Sequence, residues 1–360
     1  MNRLSARIAL VLVALVLFPA RSPAPLVYRP GEGWSYETPG TKSDWHKQRA
    51  KDQLQVAQQA FDKKQYKLAL KSSLRVIQIW PLSDYAPQAQ YLVGRCYEAK
   101  RMDEKAFNAY QALLENKQYE KVFAAYQAMP DKSVKIATVE EVQQRQFAIA
   151  LRFLHGQWFK VFGYIPFFPS MDKTADMFDK IVRYGPYGEL GPPSQMNIGA
   201  AREKEKDYPL AVKAYERAAD RYADQPKVAA NAQFKEAMAY NKQARKADYD
   251  QSIAGDAIST FTDFMALYPD DPRVADAQHT IKSLKEEQAR GNFHIAQFYE
   301  KQKKWDGALV YYNEVLLADA GSPMASQARQ RIEKLKDRTV HEHSAPAKTP
   351  IPPAVTTPSK

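Results

Sequence analysis

The chain has 360 residues, enough for two average domains or one array of stacked repeats. Apolar residues at 45% and charged residues at 26% exclude wholesale disorder, and 51 Ala against 14 Gly favours packed helices over a glycine-rich nucleotide-binding sheet. A single cysteine, Cys96, excludes an internal disulfide framework and a cysteine-based zinc site. The formal charge of +11 leaves nucleic acid, an anionic membrane or an acidic partner to be decided.

In chain order, Arg3 and Arg7 precede the apolar run Ile8 to Phe18, and small residues with proline follow. A basic start, a short apolar stretch and a small-residue exit read as a signal peptide over 1–24, cleaved after Ala20 or Ala24. The run is shorter than the ~20 residues that span a bilayer. No cysteine follows it, so the pattern holds no site for a conventional N-terminal lipid. Removing residues 1–24 takes away Arg3, Arg7 and Arg21, which leaves +8. The expectation from the signal segment is export, with an anionic envelope surface as a peripheral contact and no nucleic acid.

Residues 25–42 carry prolines and glycines at a density no helix survives, so an extended lead-in is expected. Leu26, Val27, Tyr28, Trp34 and Tyr36 are too apolar for a pure linker, and docking onto the first helices accounts for them. Residues 43–337 read as helical, and 338–360, with five prolines after Ser344, as a disordered tail.

The helical part repeats. A small residue on a first helix is followed three positions on by an aromatic, at twelve by Ala on a second helix, and at sixteen by a bulky residue. Gly94, Tyr97, Ala106 and Tyr110 satisfy all four positions, as do Ala296, Tyr299, Ala308 and Tyr312. Ala57 and Ala69 fit, with Ser73 in the bulky place; Gly199, Ala211 and Tyr215 fit, with Arg202 in the aromatic place. Ala237, Tyr240, Ala257 and Phe261 form a unit with a longer turn, and Ala148 with Ala175 a weaker one carrying an insert. Between units, Trp80-Pro81-Leu82-Ser83, Tyr268-Pro269-Asp270-Asp271 and Ser322-Pro323 each stop one helix and offer Ser or Asp as the next N-cap. Met324 to Lys336 reads as a capping helix. The expected fold is an all-α tetratricopeptide-repeat right-handed superhelix of about six helix pairs with a C-terminal capping helix.

The turn wording, and the helix-rich stretch from Ala257 through Phe261, Phe264, Tyr268-Pro269, Ala277, Leu284, Ala289-Arg290 and Phe298-Tyr299 to Tyr312, resembles the BamD (YfiO) family of outer-membrane assembly factors. The resemblance covers about 45–336 and is best at 50–115 and 255–336. It implies a periplasmic scaffold that binds a BamA-like outer-membrane assembly protein and unfolded outer-membrane protein peptides. It further implies that the units around Ala289 to Tyr312 hold the permanent partner. The family is usually anchored through a cysteine at the mature N-terminus, which this sequence does not offer there, and it usually has five repeats.

The sequence shows no phosphate loop, nucleophile elbow or two-histidine zinc helix, so the expectation is no catalysis, cofactor or metal. Glu140-Glu141 and Glu286-Glu287 read as solvated faces. Two features carry binding instead. Fixed offsets from the small residue place Leu54, Gln58 and Phe61, then Tyr91, Arg95 and Glu98, on an outward groove face, which suits an extended peptide. The same offsets place Phe293, Gln297 and Glu300 on that face in the last unit, and the resemblance implies that they, with Arg290, belong to the C-terminal partner site. Such a groove is filled either by a partner or by the chain's own lead-in or insert. The second feature is the aromatic insert with Trp158, Phe159, Phe162, Phe167 and Phe168, read either as a buried loop or as a docking or membrane-touching loop. The sequence reading is thus a non-catalytic scaffold of outer-membrane β-barrel assembly, with an adaptor for peptidoglycan or other envelope machinery as the alternative.

Overall fold

The computed structural model describes residues 26–36, 45–117, 119, 138–161, 165–246 and 251–344. The signal segment 1–24 and the tail from 345 onward lie outside these residues. The helices are α1 (Ala50–Asp62), α2 (Tyr66–Ile79), α3 (Ala86–Ala99), α4 (Asp103–Glu115), α5 (Val139–Leu154), α6 (Met171–Tyr184) and α7 (Gly191–Glu205). They continue as α8 (Tyr208–Arg221), α9 (Pro226–Lys246), α10 (Gln251–Leu267), α11 (Val274–Lys301), α12 (Trp305–Ala318) and α13 (Pro323–Ser344). Two short hairpins accompany them: β1 (Leu26–Arg29) with β2 (Gly33–Tyr36), and β3 (Phe159–Val161) with β4 (Ile165–Phe168). The chain forms two compact units, residues 1–194 and 195–360. The fold class is all-α, of tetratricopeptide type. The first unit pairs α1 with α2, α3 with α4 and α5 with α6; the second pairs α7 with α8 through Gly199 against Tyr215, α9 with α10 and α11 with α12, and α13 closes its last face.

The small positions are small because two helices cross on them. A Cβ added to Gly94 would sit 2.3 Å from the Tyr110 ring, and one on Gly199 would sit 2.4 Å from the Tyr215 ring. Ala57, Ala69, Ala106, Ala211, Ala296 and Ala308 are fully buried at the equivalent crossings. The interior is therefore a run of alanines with large rings keyed between them, of which Tyr110, Tyr215, Tyr222 and Tyr312 are the largest.

The turn between paired helices also repeats. Lys64, Arg101, Lys206 and Lys303 all have φ near +60°, and each lies seven residues after the small position of its unit. In each, the left-handed residue's N–H bonds three residues back, and the next N–H bonds five back, as in Met102 to the Tyr97 carbonyl at 2.9 Å. This is the Schellman closure, which normally uses Gly. A long side chain in the left-handed region costs ~1 kcal/mol or more, and a cation at the helix C-terminus offsets part of it through the backbone dipole. The lysine clusters at these helix ends in the sequence are thus turn residues.

The same closure corrects one reading. Gly156 takes the left-handed position after α5, with Gln157 N–H bonded to the Arg152 carbonyl at 3.0 Å. Counting back, the crossing position is Ile149, which is buried, and Ala148 is exposed. The repeat is there, one residue later than its alanine suggests, with the buried Ile149 at the crossing position.

Other departures are local. Ser322 caps α13, accepting from Ala325 N at 3.1 Å. Ser83 and Asp271 are not the N-cap residues; Ser83 Oγ donates to the Trp80 carbonyl at 2.9 Å, and Asp271 accepts three bonds of 2.8–2.9 Å from Arg273, one from its backbone N–H and two from its guanidinium. The lead-in is a hairpin rather than a featureless extended strand. It docks through Glu32, which is buried at the start of α1, accepts from Lys51 N at 3.5 Å and pairs with Arg49 at 3.4 Å. Leu26, Tyr28 and Trp34 are exposed and do not make that contact, Val27 is half-buried, and the side chain of Tyr36 lies outside the described residues. Helix α13 extends to Ser344, past residue 337 where the sequence reading ends the array.

Candidate recognition surface

In the first unit, α3, α4 and α5 bring together residues up to 54 positions apart. Tyr91 hydroxyl donates to Glu141 in a short bond and accepts from Arg145 Nε at 2.9 Å and Arg95 Nη1 at 3.2 Å. Arg145 also reaches Glu98 Oε2 at 3.2 Å and Glu141 Oε1 at 3.1 Å. Tyr110 hydroxyl donates to Glu98 Oε2 at 2.7 Å. Arg95 lies 5.3 Å from the Phe61 ring centroid and 5.8 Å from that of Tyr91.

Titration follows this geometry. Burial raises the Tyr91 hydroxyl above ordinary tyrosine, with Glu141 reinforcing it, and raises the Tyr110 hydroxyl well above, with Glu98 reinforcing it. Burial by itself would raise Glu141, but bonds from Tyr91 and Arg145 outweigh it and hold the carboxyl below its usual value. Burial likewise opposes the Arg145 charge, and the surrounding Tyr91, Tyr110 and Glu141 more than restore it. The cluster is a fixed ion network. Arg95, stacked between two rings and without a carboxylate partner among the described residues, is its outward-facing cation.

The expected groove residues divide accordingly. Phe61, Tyr91, Arg95 and Glu98 come together as one patch, and Gln58 is exposed on the same helix as Phe61. Leu54 does not join them: it is buried against Val76 and Ala89. Glu141, expected on a solvated face, is a partner in the network, and Arg145, which no motif or offset marks, is its central cation. Its place opposite Tyr91 depends on how α5 follows the long connection after α4, which no short-range pattern encodes.

At the C-terminal site, Phe293 is buried edge-on against Tyr312 at 5.4 Å, so it belongs to the core and offers no surface. Arg290 is exposed beside Glu287, Gln297 is half-buried, and Glu300 accepts from Tyr312 at 2.7 Å and Arg331 at 3.1 Å. The exposed apolar side chains are others: Phe298 on α11, and Val310 and Leu317 on α12, two turns apart on one face.

In the insert, Phe159 is buried and stacks on Phe153 at 4.1 Å, whereas Trp158 and Phe168 are 51% and 40% exposed. Phe162 and the side chain of Phe167 lie outside the described residues. The insert is both things at once, a buried anchor and an exposed rim.

Elsewhere, Cys96 is buried among Ala57, Ala60, Ala69 and Leu92, and burial pushes its thiol up to about 11, which makes it a packing residue. Burial, with Glu216, Asp220 and Asp263 nearby, raises Glu236 to about 7. Among the described residues no cluster of His, Cys, Asp and Glu fits a metal ion, and no helix is long and apolar enough to cross a membrane.

Repeated crossings, left-handed turns and a closing helix define a tetratricopeptide-repeat protein, and residues 88–116 match a tetratricopeptide family model. Residues 170–337 match the YfiO family model, described as an outer membrane lipoprotein, and this places the family likeness of the sequence in its C-terminal half. No curated protein matches the sequence. Among solved structures, the apo form of RapI is similar at 13% identity, covering 79% of this chain and 99% of that one, with a TM-score of 0.29. A tetratricopeptide repeat protein from Parabacteroides merdae is similar at 10% identity over 80% of this chain and 98% of that one, TM-score 0.27. The kinesin light chain TPR-like repeats of Podosopora anserina align at 13% over 61% and 93%, TM-score 0.28.

Proposed function

We propose that this protein is a non-catalytic periplasmic scaffold of outer-membrane β-barrel assembly that holds a BamA-like protein and receives unfolded client peptides. The match of residues 170–337 to the outer membrane lipoprotein family carries the reading. Two features of the structure support it. Phe298, Val310 and Leu317 leave apolar surface on the repeat where the family likeness runs, as a permanent partner requires. In the first unit Arg95, held between Phe61 and Tyr91, presents guanidinium donors for a peptide carbonyl or carboxylate beside aromatic surface.

Crosslinking in intact cells from a photoreactive residue at position 298 is expected to trap a BamA-like barrel protein, and depletion to lower outer-membrane barrel levels. Recovery of peptidoglycan-synthesis proteins alone, with barrel levels unchanged, would replace this reading by an envelope-adaptor role.

A further inference from the structure

A cleft of about 450 Å³ opens where the α3–α4 turn faces the end of α5 and strand β3. It belongs wholly to the first unit and lies outside residues 170–337. Its floor is apolar, made by buried Phe153 and half-buried Met102, and the half-exposed Trp158 indole forms a wall. Lys160 reaches across and donates to the Arg101 carbonyl at 2.8 Å, which fixes β3 against the turn.

The charges around this cleft are unevenly matched. Both carboxylates in it are already engaged. Buried Asp103 takes Arg152 at 2.7 Å and Gln157 at 2.6 Å, and Glu104 pairs with Lys173 at 3.6 Å. Arg101, Lys105 and Lys160 have no carboxylate partner among the described residues. The left-handed turn that sets Arg101 (φ 57°) holds that side chain at the rim. Three uncompensated cations beside an apolar floor and an indole attract an anionic group whose immediate neighbour is apolar. By contrast, Arg145 in the network nearby is neutralised by two carboxylates of its own unit.

We propose that this cleft binds a peptide segment in which an acidic residue adjoins an aromatic one. The carboxylate meets Arg101, Lys105 and Lys160, and the ring packs on Trp158 over Phe153. Adjacent side chains of one peptide supply that pairing. The site goes beyond the scaffold reading, because its occupancy does not depend on which protein crosslinks at position 298.

The test is calorimetric titration of the full chain with a blocked peptide containing Asp-Phe, alongside its Asn-Phe and Asp-Ser counterparts and a short single-stranded oligonucleotide. The Asp-Phe peptide is expected to bind best, more weakly as salt rises, and roughly tenfold more weakly to the Arg101→Glu/Lys105→Glu double variant. Trp158→Ala, at a half-exposed position, is expected to weaken Asp-Phe binding while leaving the helical melting curve unchanged. Equal affinity for the Asp and Asn peptides, indifference to the charge reversal, tighter binding of the oligonucleotide, or no binding of the Asp-Phe peptide would each overturn the proposal.

Discussion

The same offset from the small residue places the same pair in two distant repeats, and their surroundings make them different devices. Glu98 and Tyr110 lie four and sixteen residues after Gly94; Glu300 and Tyr312 lie four and sixteen after Ala296. Each tyrosine donates to its glutamate at 2.7 Å. A cation from the following helix then closes each clasp, Arg145 on Glu98 at 3.2 Å and Arg331 on Glu300 at 3.1 Å. Arg145 is 28% exposed and also serves Tyr91 and Glu141, whereas Arg331 is 46% exposed and bonds Glu300 alone. A middle copy at Gly199 keeps Glu203 and Tyr215, but there Glu203 pairs with Lys242 at 3.1 Å and one of its oxygens has no hydrogen-bond partner. The repeat frame thus fixes the tyrosine and glutamate, and the next helix decides whether the clasp is a lock or a loose tie.

Four experiments bear on that contrast. The largest effect is expected where the frame itself is violated. Gly94→Ala drives a methyl into the Tyr110 ring, and the loss of about 3 kcal/mol from overpacking exceeds the ~1 kcal/mol gained in helix propensity. Gly199→Ala should behave alike against Tyr215, with urea unfolding as the readout; tolerance of both would show that the crossings can spread.

Next is Arg145→Ala, which removes the cation shared by Glu98, Glu141 and Tyr91; Tyr110 still holds Glu98 and Tyr91 still holds Glu141, so the cost should be roughly 2 kcal/mol, against ~0.5 kcal/mol or less for Arg331→Ala. Similar losses at the two sites would erase the distinction between lock and tie.

Titration should separate the units in opposite directions. Glu141 has a lowered carboxyl, so its contribution is present above the unfolded value near 4.5 and is lost as pH falls through the lower folded value. Glu236, raised from 4.5 to about 7, binds a proton more tightly when folded, so the second unit loses stability as pH rises from 4.5 to 7. Glu236→Gln should then stabilise that unit by roughly 1–2 kcal/mol above pH 7 after allowing for screening, and little at pH 4. Hydrogen exchange resolved by helix distinguishes the two.

The smallest effect concerns the left-handed turns. Lys303→Gly removes backbone strain and a favourable end charge together, so a gain of about 0.5 kcal/mol is expected in thermal unfolding. Lys64→Gly should match it; a clear loss at both would assign the lysines a contact of their own.

Fixed offsets find the crossings at which one small residue meets one ring. Gly94 to Tyr110 and Ala296 to Tyr312 are close in sequence, and the helical period fixes which faces meet. They failed by one residue at Ala148, where a small residue beside the true crossing mimicked it. They also misplaced Leu54 and Phe293, since a fixed offset gives a direction from the helix axis and not what stands opposite. Tyr91 and Arg95 were legible as a patch, but Glu141 and Arg145 were not.

Length, composition and charge opened the reading with an alanine-rich, basic chain, and the sequence by itself determined its helices, their pairing and the small crossings. These rest on local periodicity and on steric limits between neighbours in the chain. Which carboxylates are engaged, which cations are left over at the Trp158 cleft, and whether an aromatic is core or rim were decided by tertiary structure alone. Electrostatic pairing and burial depend on distances in space between residues that no spacing rule connects.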